Sequence, residues 1–264
     1  MKKLADKVIV ITGAGMGLGL STAIVAAKEG AKLTLVDYNA DALAAAEQEI
    51  RAKAGNDVQI LSVVADVSDE ARVKEYVDKT VATYGTIDGF YNNAGIEGRQ
   101  APMTDYDLGV FKKVIDINLM GVYYGMKYII PVMKEKNYGR IVNVASVGGI
   151  RGVMNQTPYV ATKHAVAGMT KNAALEYGQF GITTNAIAPG AILTPMVAEA
   201  FRQINAEDPK SAEKEYAKAN PTKRLGLPEE VAKVVVFLLS DDASYVSGQV
   251  IAIDGGQSNA YGNV

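Results

Sequence analysis

The sequence predicts an α/β protein built on a doubly wound, mainly parallel sheet with helices on both faces. Short β-branched runs recur along the chain: Val8-Ile9-Val10-Ile11, Leu33-Thr34-Leu35-Val36, Ile60-Leu61-Ser62-Val63-Val64 and Ile141-Val142-Asn143-Val144. They are continuous rather than alternating, the pattern of strands covered on both faces. Alanine-rich helical stretches separate them, so each strand is followed by a crossover helix, and such crossovers are right-handed.

The elements follow in order. Residues about 18–29 form a helix stopped by Gly30. Residues about 40–53 form the next, with Asn39 as N-cap and Gly55 just beyond its end. A third helix runs from a cap at Ser68 to about Tyr84, before Gly85, and a fourth strand ends at Asn92-Asn93-Ala94-Gly95. A helix at about 120–136, a strand at 139–145, a long helix at 159–179, a strand at 183–188, a helix at 228–239 and a last strand at 249–253 complete the series. No Pro/Ser-rich linker or composition shift divides the chain, so residues 1–264 read as one domain. Residues about 191–226 break the rhythm with polar and charged residues and with Pro195, Pro209 and Pro221. An insertion after a strand's carboxyl end is where a substrate lid sits, and the same segment reads equally well as a pair of solvated surface helices.

Composition narrows the function. Of 264 residues, 48% are hydrophobic and 21% charged, and 27 Lys+Arg against 29 Asp+Glu give a net charge of −2. These are the proportions of a soluble globular protein, with no basic field for nucleic acid or an anionic membrane. The chain has no cysteine, which removes disulfides, thiolate nucleophiles and Cys-based metal sites and makes a reducing cytoplasm the expected location. No apolar run approaches the ~20 residues of a membrane span, and Met1–Lys7 leads straight into the first strand without a signal-peptide h-region, so the mature protein is expected to begin here. The single histidine, His164, excludes His-based metal clusters, and no metal is expected.

Thr12-Gly13-Ala14-Gly15-Met16-Gly17-Leu18-Gly19 joins the first strand to the first helix. Glycines there permit a tight turn and close backbone approach to a pyrophosphate, while the helix start offers its positive end to the anion. Asp37 ends the second strand, 20 residues after Gly17, where a carboxylate accepts hydrogen bonds from an adenosine ribose and repels a 2′-phosphate. Tyr38 beside it supplies no cation, so NAD(H) is expected over NADP(H). Without the glycine motif, Asp37 is an ordinary strand-end acid. Asp66-Val67 and Asn92-Asn93-Ala94-Gly95 end the third and fourth strands at the carboxyl edge, where ligands bind in open α/β sheets, though each taken singly is also a turn.

Tyr159-Val160-Ala161-Thr162-Lys163 sets a phenol and an ammonium four residues apart, on one helix face. Ser146 precedes Tyr159 by thirteen residues and closes a strand, so the three can converge at the sheet's carboxyl edge. A neighbouring Lys⁺ favours phenolate and is expected to lower the tyrosine pKa. Four-residue periodicity leaves His164 off that face, in a packing or surface role.

With Asp66, Asn118, Pro189-Gly190, Thr194 and Asp254-Gly255-Gly256, these motifs run in order over essentially the whole chain, which resembles the short-chain dehydrogenase/reductase family. The resemblance implies a three-layer, seven-stranded Rossmann fold and hydride exchange between a nicotinamide and a ketone or secondary alcohol. It implies that Tyr159 is the acid/base, Ser146 orients the substrate oxygen, Lys163 holds the nicotinamide ribose, and Asn118 supports a proton-relay water. The implied cofactor contacts are Gly13, Met16, Gly17, Leu18, Gly19, Asp37, Asp66, Val67, Asn93, Ala94, Gly95, Tyr159, Lys163, Pro189, Gly190, Ile192 and Thr194. Asn118 otherwise reads as a helix-bending or capping residue.

One departure is Gly181-Ile182-Thr183-Thr184-Asn185, where the family often has Gly-Ile-Arg-Val-Asn, so an ion pair of that arginine is missing. Segments Asp88–Gly98, Ala145–Gly152, Asn185–Ile192 and Ile253–Ser258 resemble a member that acts on a substituted cyclohexanedione, which makes a cyclic or bulky ketone the expected substrate. Candidate pocket residues are Ile96, Gly148, Asn155, Gln156, Ile192 and Met196, mostly apolar with a few polar groups. The family also implies a homotetramer built on the helices carrying Met120–Lys136 and Tyr159–Phe180 and on the C-terminal strand. Two further readings stand beside this one: a 3-oxoacyl-[acyl-carrier-protein] reductase, which usually takes NADPH, and a non-catalytic dinucleotide sensor, expected to lack part of the Ser/Tyr/Lys set.

Overall fold

The computed structural model describes residues 2–260, so Met1 and residues 261–264, the extremes of the expected domain, lie outside the described residues. The strands are β1 (Val8–Thr12), β2 (Lys32–Asp37), β3 (Ile60–Val64), β4 (Gly89–Asn92), β5 (Gly139–Val144), β6 (Ile182–Pro189) and β7 (Val250–Ile253). They form one seven-stranded sheet in the order β3-β2-β1-β4-β5-β6-β7, every pair parallel. The chain winds outward from β1 to β3, then returns to start the other half at β4. A crevice therefore opens between the carboxyl ends of β1 and β4, the topological switch point.

Period-two alternation divides the strands between two cores. Ile9, Ile11, Leu33 and Leu35 pack with Ala23 and Ala27 of α1 (Gly17–Lys28), Leu43 and Ile50 of α2 (Ala40–Ala54), and Val231, Val235 and Leu238 near the chain's end. Val10, Val36 and Phe90 face the other way, against Val73, Tyr76 and Val77 of α3 (Glu70–Tyr84) and Met126, Ile129 and Met133 further on. Each such aliphatic side chain, fully buried, contributes about 1.5–3 kcal/mol. Two covered faces explain why the strands read as unbroken apolar runs.

Local chemistry sets the helix ends. Asn39 caps α2, its side chain accepting from the Ala42 N–H. The cap of α3 is Asp69 rather than Ser68: the Asp69 carboxylate accepts from the N–H groups of Ala71 and Arg72 and gains from the helix dipole, while Ser68 Oγ donates to Asp66. A helix absent from the expected series, α4 (Leu108–Ile115), is capped by Asp107 and continues through a π-helical turn, Asp116–Met120, into α5 (Gly121–Glu135). The remaining helices are α6 (Thr157–Tyr177), α7 (Pro195–Ile204), α8 (Pro209–Ala219) and α9 (Pro228–Leu239). Thr183 lies opposite Arg140 in the β5–β6 register, and the Arg140 guanidinium reaches Asp241 at 3.2 Å, so an arginine on the neighbouring strand makes an ion pair here.

Residues 191–226 leave β6 at its carboxyl end and return to the same place. A bridge joins Ile192 to Gly226, with the Leu193 N–H donating to Gly226 O at 2.9 Å and the Gly226 N–H to Ala191 O at 3.0 Å. Beyond this pinch stand α7 and α8, joined by an edge-to-face contact of Phe201 and Tyr216. Phe201 is the one buried residue of the two helices, so this flap rests lightly on the body.

Candidate active site

The first wall of the crevice is the glycine-rich turn between β1 and α1. Gly19 approaches the start of the turn so closely that a Cβ there would lie 2.0 Å from Gly13 O, which forbids any side chain. Gly17 has φ +58°, and the space above it faces Thr194 Cγ2 at 3.6 Å. Met16, the N-cap of α1, makes no side-chain cap and the first turn holds no acid, so the N–H groups at the helix's positive end keep their capacity for an anion. This cradle fits the pyrophosphate of a dinucleotide. Met16 lies exposed at its lip, whereas the Leu18 side chain packs into the core and leaves only its backbone to the cradle.

Neighbouring strand ends brace the turn. Asn93 Nδ2 donates to Thr12 O at 2.8 Å and Gly13 O at 3.1 Å, and Thr12 Oγ1 accepts from the N–H groups of Asn93 and Ala94. Buried Asp37 accepts from the Gly15 N–H through Oδ2 at 2.9 Å and from the Asn39 N–H through Oδ1 at 3.0 Å, fixing its carboxylate beside the cradle, with Tyr38 exposed next to it. Asp66 is exposed and holds the turn to Ser68, while Val67 is buried against Gly121. Across the crevice, Gly190 follows Pro189 and binds Ile253 O, Ile192 is buried at the base of the flap, and Thr194 caps α7 through the Val197 N–H.

The second wall carries Ser146, Tyr159, Lys163 and Asn118. Ser146 follows β5, and its Oγ accepts from the Gly148 N–H at 3.1 Å. A Cβ on Gly148 would lie 3.5 Å from Tyr159 Cε1 and 3.6 Å from Ser146 Oγ, so serine and tyrosine flank that glycine. One helical turn on from Tyr159, Lys163 Nζ donates to Val144 O at 2.8 Å and stands 5.5 Å from the tyrosine ring centre. A Cβ on Gly95 would lie 3.1 Å from Asn118 Oδ1 and 3.5 Å from Lys163 Nζ, which brings asparagine and lysine to the end of β4. Asn118 sits in the π-helical turn, wholly buried, accepting from the Ile96 N–H at 2.8 Å and donating to Ile96 O at 2.7 Å. His164 is exposed, turned against Val160 O.

The electrostatics correct one expectation. The Tyr159 phenol is not brought below its ordinary value beside Lys163. Burial pushes Tyr159 up to about 12, against the pull of a hydrogen bond from Ser146 and with a further push from Glu97. Burial likewise brings Lys163 down to about 8, because a low-dielectric site favours the neutral form of each. The phenol is thus set as a proton donor around neutral pH.

Among the pocket candidates, Ile96 is pinned by Asn118, Gly148 is buried beside Tyr159, and Met196 is 41% exposed on α7. Asn155 is exposed with φ +63°, and its carbonyl accepts from the Ala101 N–H. Gln156 donates to a residue the motif reading passed over, Glu97. Burial raises that carboxyl to about 7, opposed by hydrogen bonds from Gln100 and Gln156 and helped by the nearby Glu199 charge. Its sequence signal was a carboxylate directly after the strand-end run Asn92-Asn93-Ala94-Gly95-Ile96. Among the described residues no group of His, Asp and Glu side chains can hold a metal ion, and no helix is long and apolar enough to cross a membrane.

Comparison with known proteins agrees with this geometry. The family model described as enoyl-(acyl carrier protein) reductase matches residues 13–258. The chain is 52% identical to levodione reductase of Leifsonia aquatica over 98% of this chain and 97% of the relative. It is 41% identical to cyclohexanol dehydrogenase of an Acinetobacter species over 96% and 95%. A crystal structure of levodione reductase superposes with a TM-score of 0.96 at 52% identity, covering 98% of this chain and all of that one. NAD⁺-bound xylitol dehydrogenase superposes at 0.91 with 37% identity over 97% and 100%. With the seven-stranded parallel sheet, the glycine cradle for a nicotinamide dinucleotide and the Ser146, Tyr159 and Lys163 cluster in one crevice, the chain belongs to the short-chain dehydrogenase/reductase family of oxidoreductases.

Proposed function

We propose that this enzyme exchanges a hydride between NAD(H) and a cyclic ketone or its secondary alcohol. The observation that carries this reading is the convergence of Ser146, Tyr159, Lys163 and Asn118 at the crevice between β1 and β4. The relatives' names, levodione reductase and cyclohexanol dehydrogenase, support a ring-shaped substrate. A bound nicotinamide supplies or accepts the hydride. As negative charge grows on the carbonyl oxygen during reduction, Ser146 Oγ and the Tyr159 hydroxyl donate hydrogen bonds to it, and Tyr159 then gives up its proton. Lys163, anchored on Val144 O, holds the ribose side, and Asn118 fixes the loop at Ile96 while supporting the outward path of the proton.

The other contacts follow the walls of the crevice. Backbone groups of Gly13, Met16, Gly17, Leu18 and Gly19 take the pyrophosphate, and Thr194, Ile192, Pro189 and Gly190 close the far side. Asp66, Val67, Asn93, Ala94 and Gly95 form the strand-end rim. Ile96, Gly148 and Met196 wall the substrate. Preference for NAD(H) over NADP(H) rests on Asp37, whose buried carboxylate meets the ribose edge with no cation beside it to receive a phosphate. A homotetramer is supported by the cleft of about 810 Å³ between α5 and α6, lined by Tyr123, Met126, Ile130, Met169 and Tyr177, and by the half-exposed edge strand β7. Light scattering is expected to give four times the 28.0 kDa chain mass.

Tyr159→Phe tests the assignment. Removal of the proton donor is expected to lower kcat by about a thousandfold or more while NADH still binds, as general acid catalysis typically contributes 10²–10⁴-fold. Turnover equal to the wild type would remove Tyr159 from the role.

A further inference from the structure

The motif Asp254-Gly255-Gly256 has no part in the hydride step or the cofactor cradle, yet it forms a tightly built turn directly after β7. Asp254 is buried, and its carboxylate accepts from the Gly256 N–H through Oδ1 at 2.9 Å and from the Ser258 N–H through Oδ2 at 2.7 Å. Gly255 has φ +65°, and a Cβ there would lie 2.6 Å from Thr222 Oγ1 and 2.8 Å from Asn220 Oδ1, so glycine lets the turn meet the foot of the flap. Buried Asn220 answers from the flap side, its Nδ2 donating to Asp254 O at 3.0 Å. Arg151, from the loop that follows Ser146, reaches Gln257 O at 3.4 Å. One turn thus ties that loop to the flap.

Gln257 carries the anchor up to the flap helices. It is 1% exposed, and its Nε2 donates to the Tyr216 hydroxyl of α8. Its Oε1 faces Gly190, where a Cβ would lie 2.9 Å away, and has no hydrogen-bond partner, so among the described residues Tyr216 alone serves this buried amide. Among the same residues it is also the one side-chain hydrogen bond from α8 to the body, as Gln203 with Gln100 is for α7. Tyr216 in turn meets Phe201, the one buried residue of the two helices, with ring centres 5.7 Å apart. A segment with so few buried contacts opens at low free energy, so a single bond to a buried amide sets how much of the time it is seated.

On the ketone-reductase reading above, we propose that Gln257 is a positioning residue of the substrate wall: through the Tyr216 hydroxyl it seats α8, and with it Phe201 and Met196 of α7, over the crevice. With the flap lifted, the Met196 wall is missing, and the apparent ketone affinity falls with the fraction of molecules still seated. The glycine cradle and Asp37 lie on the other side of the crevice, and the Ile192–Gly226 bridge holds the flap's root, so NADH binding does not follow the bond.

The test is hydrogen–deuterium exchange of the α7 and α8 amides in the full chain with NADH bound, read beside the KM values for cyclohexanone and NADH. Tyr216→Phe keeps the ring on Phe201 but strands the Gln257 amide whenever the flap is seated. Exchange in both helices should quicken about tenfold, the worth of a hydrogen bond to a buried amide, while the amides of β4, β5 and β6 keep their wild-type protection. The cyclohexanone KM should rise about threefold to tenfold and the NADH KM should stay unchanged. Gln257→Met keeps the length of the side chain and should also quicken exchange. Adding it to Tyr216→Phe should slow exchange back toward the wild-type rate, because two facing apolar groups leave no polar group stranded. A general loosening of the fold would instead make the two substitutions add and would speed exchange in the strands. Flap exchange unmoved in Tyr216→Phe, additive effects in the double variant, or quickened exchange with an unmoved cyclohexanone KM overturns the proposal. Should Gln257→Met fail to fold, Tyr216→Phe decides alone. A wild type that reduces no cyclic ketone overturns the ketone reading and this inference together, whereas turnover with flap exchange unmoved by Tyr216→Phe overturns this inference only.

Discussion

The two walls of the crevice are built by different means. On the β1–β3 side, the functional groups are backbone amides and one carboxylate, and they are held by contacts so close that Gly19 admits no Cβ beside Gly13 O and Asp37 is locked onto the Gly15 N–H. On the β4–β7 side, groups from the 95–101 loop, the end of β5, the start of α6 and the flap at 191–226 meet through side-chain hydrogen bonds: Asn118 with Ile96, Gln156 to Glu97, Gln203 with Gln100. A rigid wall suits a cofactor whose phosphates and ribose do not vary. A wall laced by side chains can be retuned one residue at a time, while the acid/base groups proposed above stay on the end of β5 and on α6.

Substitutions on the two walls should therefore differ in size. Gly19→Ala forces a methyl into Gly13 O and should have the largest effect on the cofactor wall, a loss of NADH affinity of about a hundredfold or more with reduced thermal stability, because overpacked contacts of this kind cost about 1–3 kcal/mol or more; NADH titration and melting curves check it. Asp37→Ser removes the carboxylate from the ribose edge and should lower kcat/KM for NADH about tenfold to a hundredfold while raising it for NADPH. An unchanged cofactor ratio would mean that selection lies elsewhere.

The pH profile probes the junction of the walls. With Tyr159 as the proposed acid/base, alcohol oxidation would need its phenolate, and burial holds that phenol up at about 12, so the rate of cyclohexanol oxidation should rise about tenfold per pH unit between pH about 6 and 8. Ketone reduction needs the protonated phenol and should lack that rise. The smallest effect belongs to the flap. Gln203→Ala releases one exposed hydrogen bond to Gln100, about 0.5–1.5 kcal/mol, and should raise the ketone KM a few-fold without moving the NADH KM.

The same contrast explains what was legible in the sequence. Glycine spacing, apolar strand runs and an acid at a fixed interval are local signals, and they located the sheet, the cradle, Asp37 and the pinched segment 191–226. Ser146, Tyr159 and Lys163 followed from a strand end and one helical turn. Glu97 was hidden because its surroundings come from α6 and α7, far away in the chain, and the high phenol pKa of Tyr159 comes from burial that the neighbouring lysine does not outweigh. The cap of α3 shifted from Ser68 to Asp69 because two good capping residues stand side by side, and the carboxylate gains more from the helix dipole. The short helix α4 did leave a signal, the spacing of Leu108, Phe111, Val114 and Ile115 after the cap Asp107, but two turns ahead of a π-helical irregularity make a weak pattern.

The most direct measurement is the initial rate of absorbance change of NADH and of NADPH with the purified enzyme and a panel of cyclic diketones, simple ketones and 3-oxoacyl thioesters. Rapid NADH consumption with a cyclic ketone and little with NADPH is the result expected from Asp37 at the ribose edge and from Ser146 with Tyr159 at the reacting oxygen. No turnover with any ketone, or a clear preference for NADPH with the thioester, would contradict it.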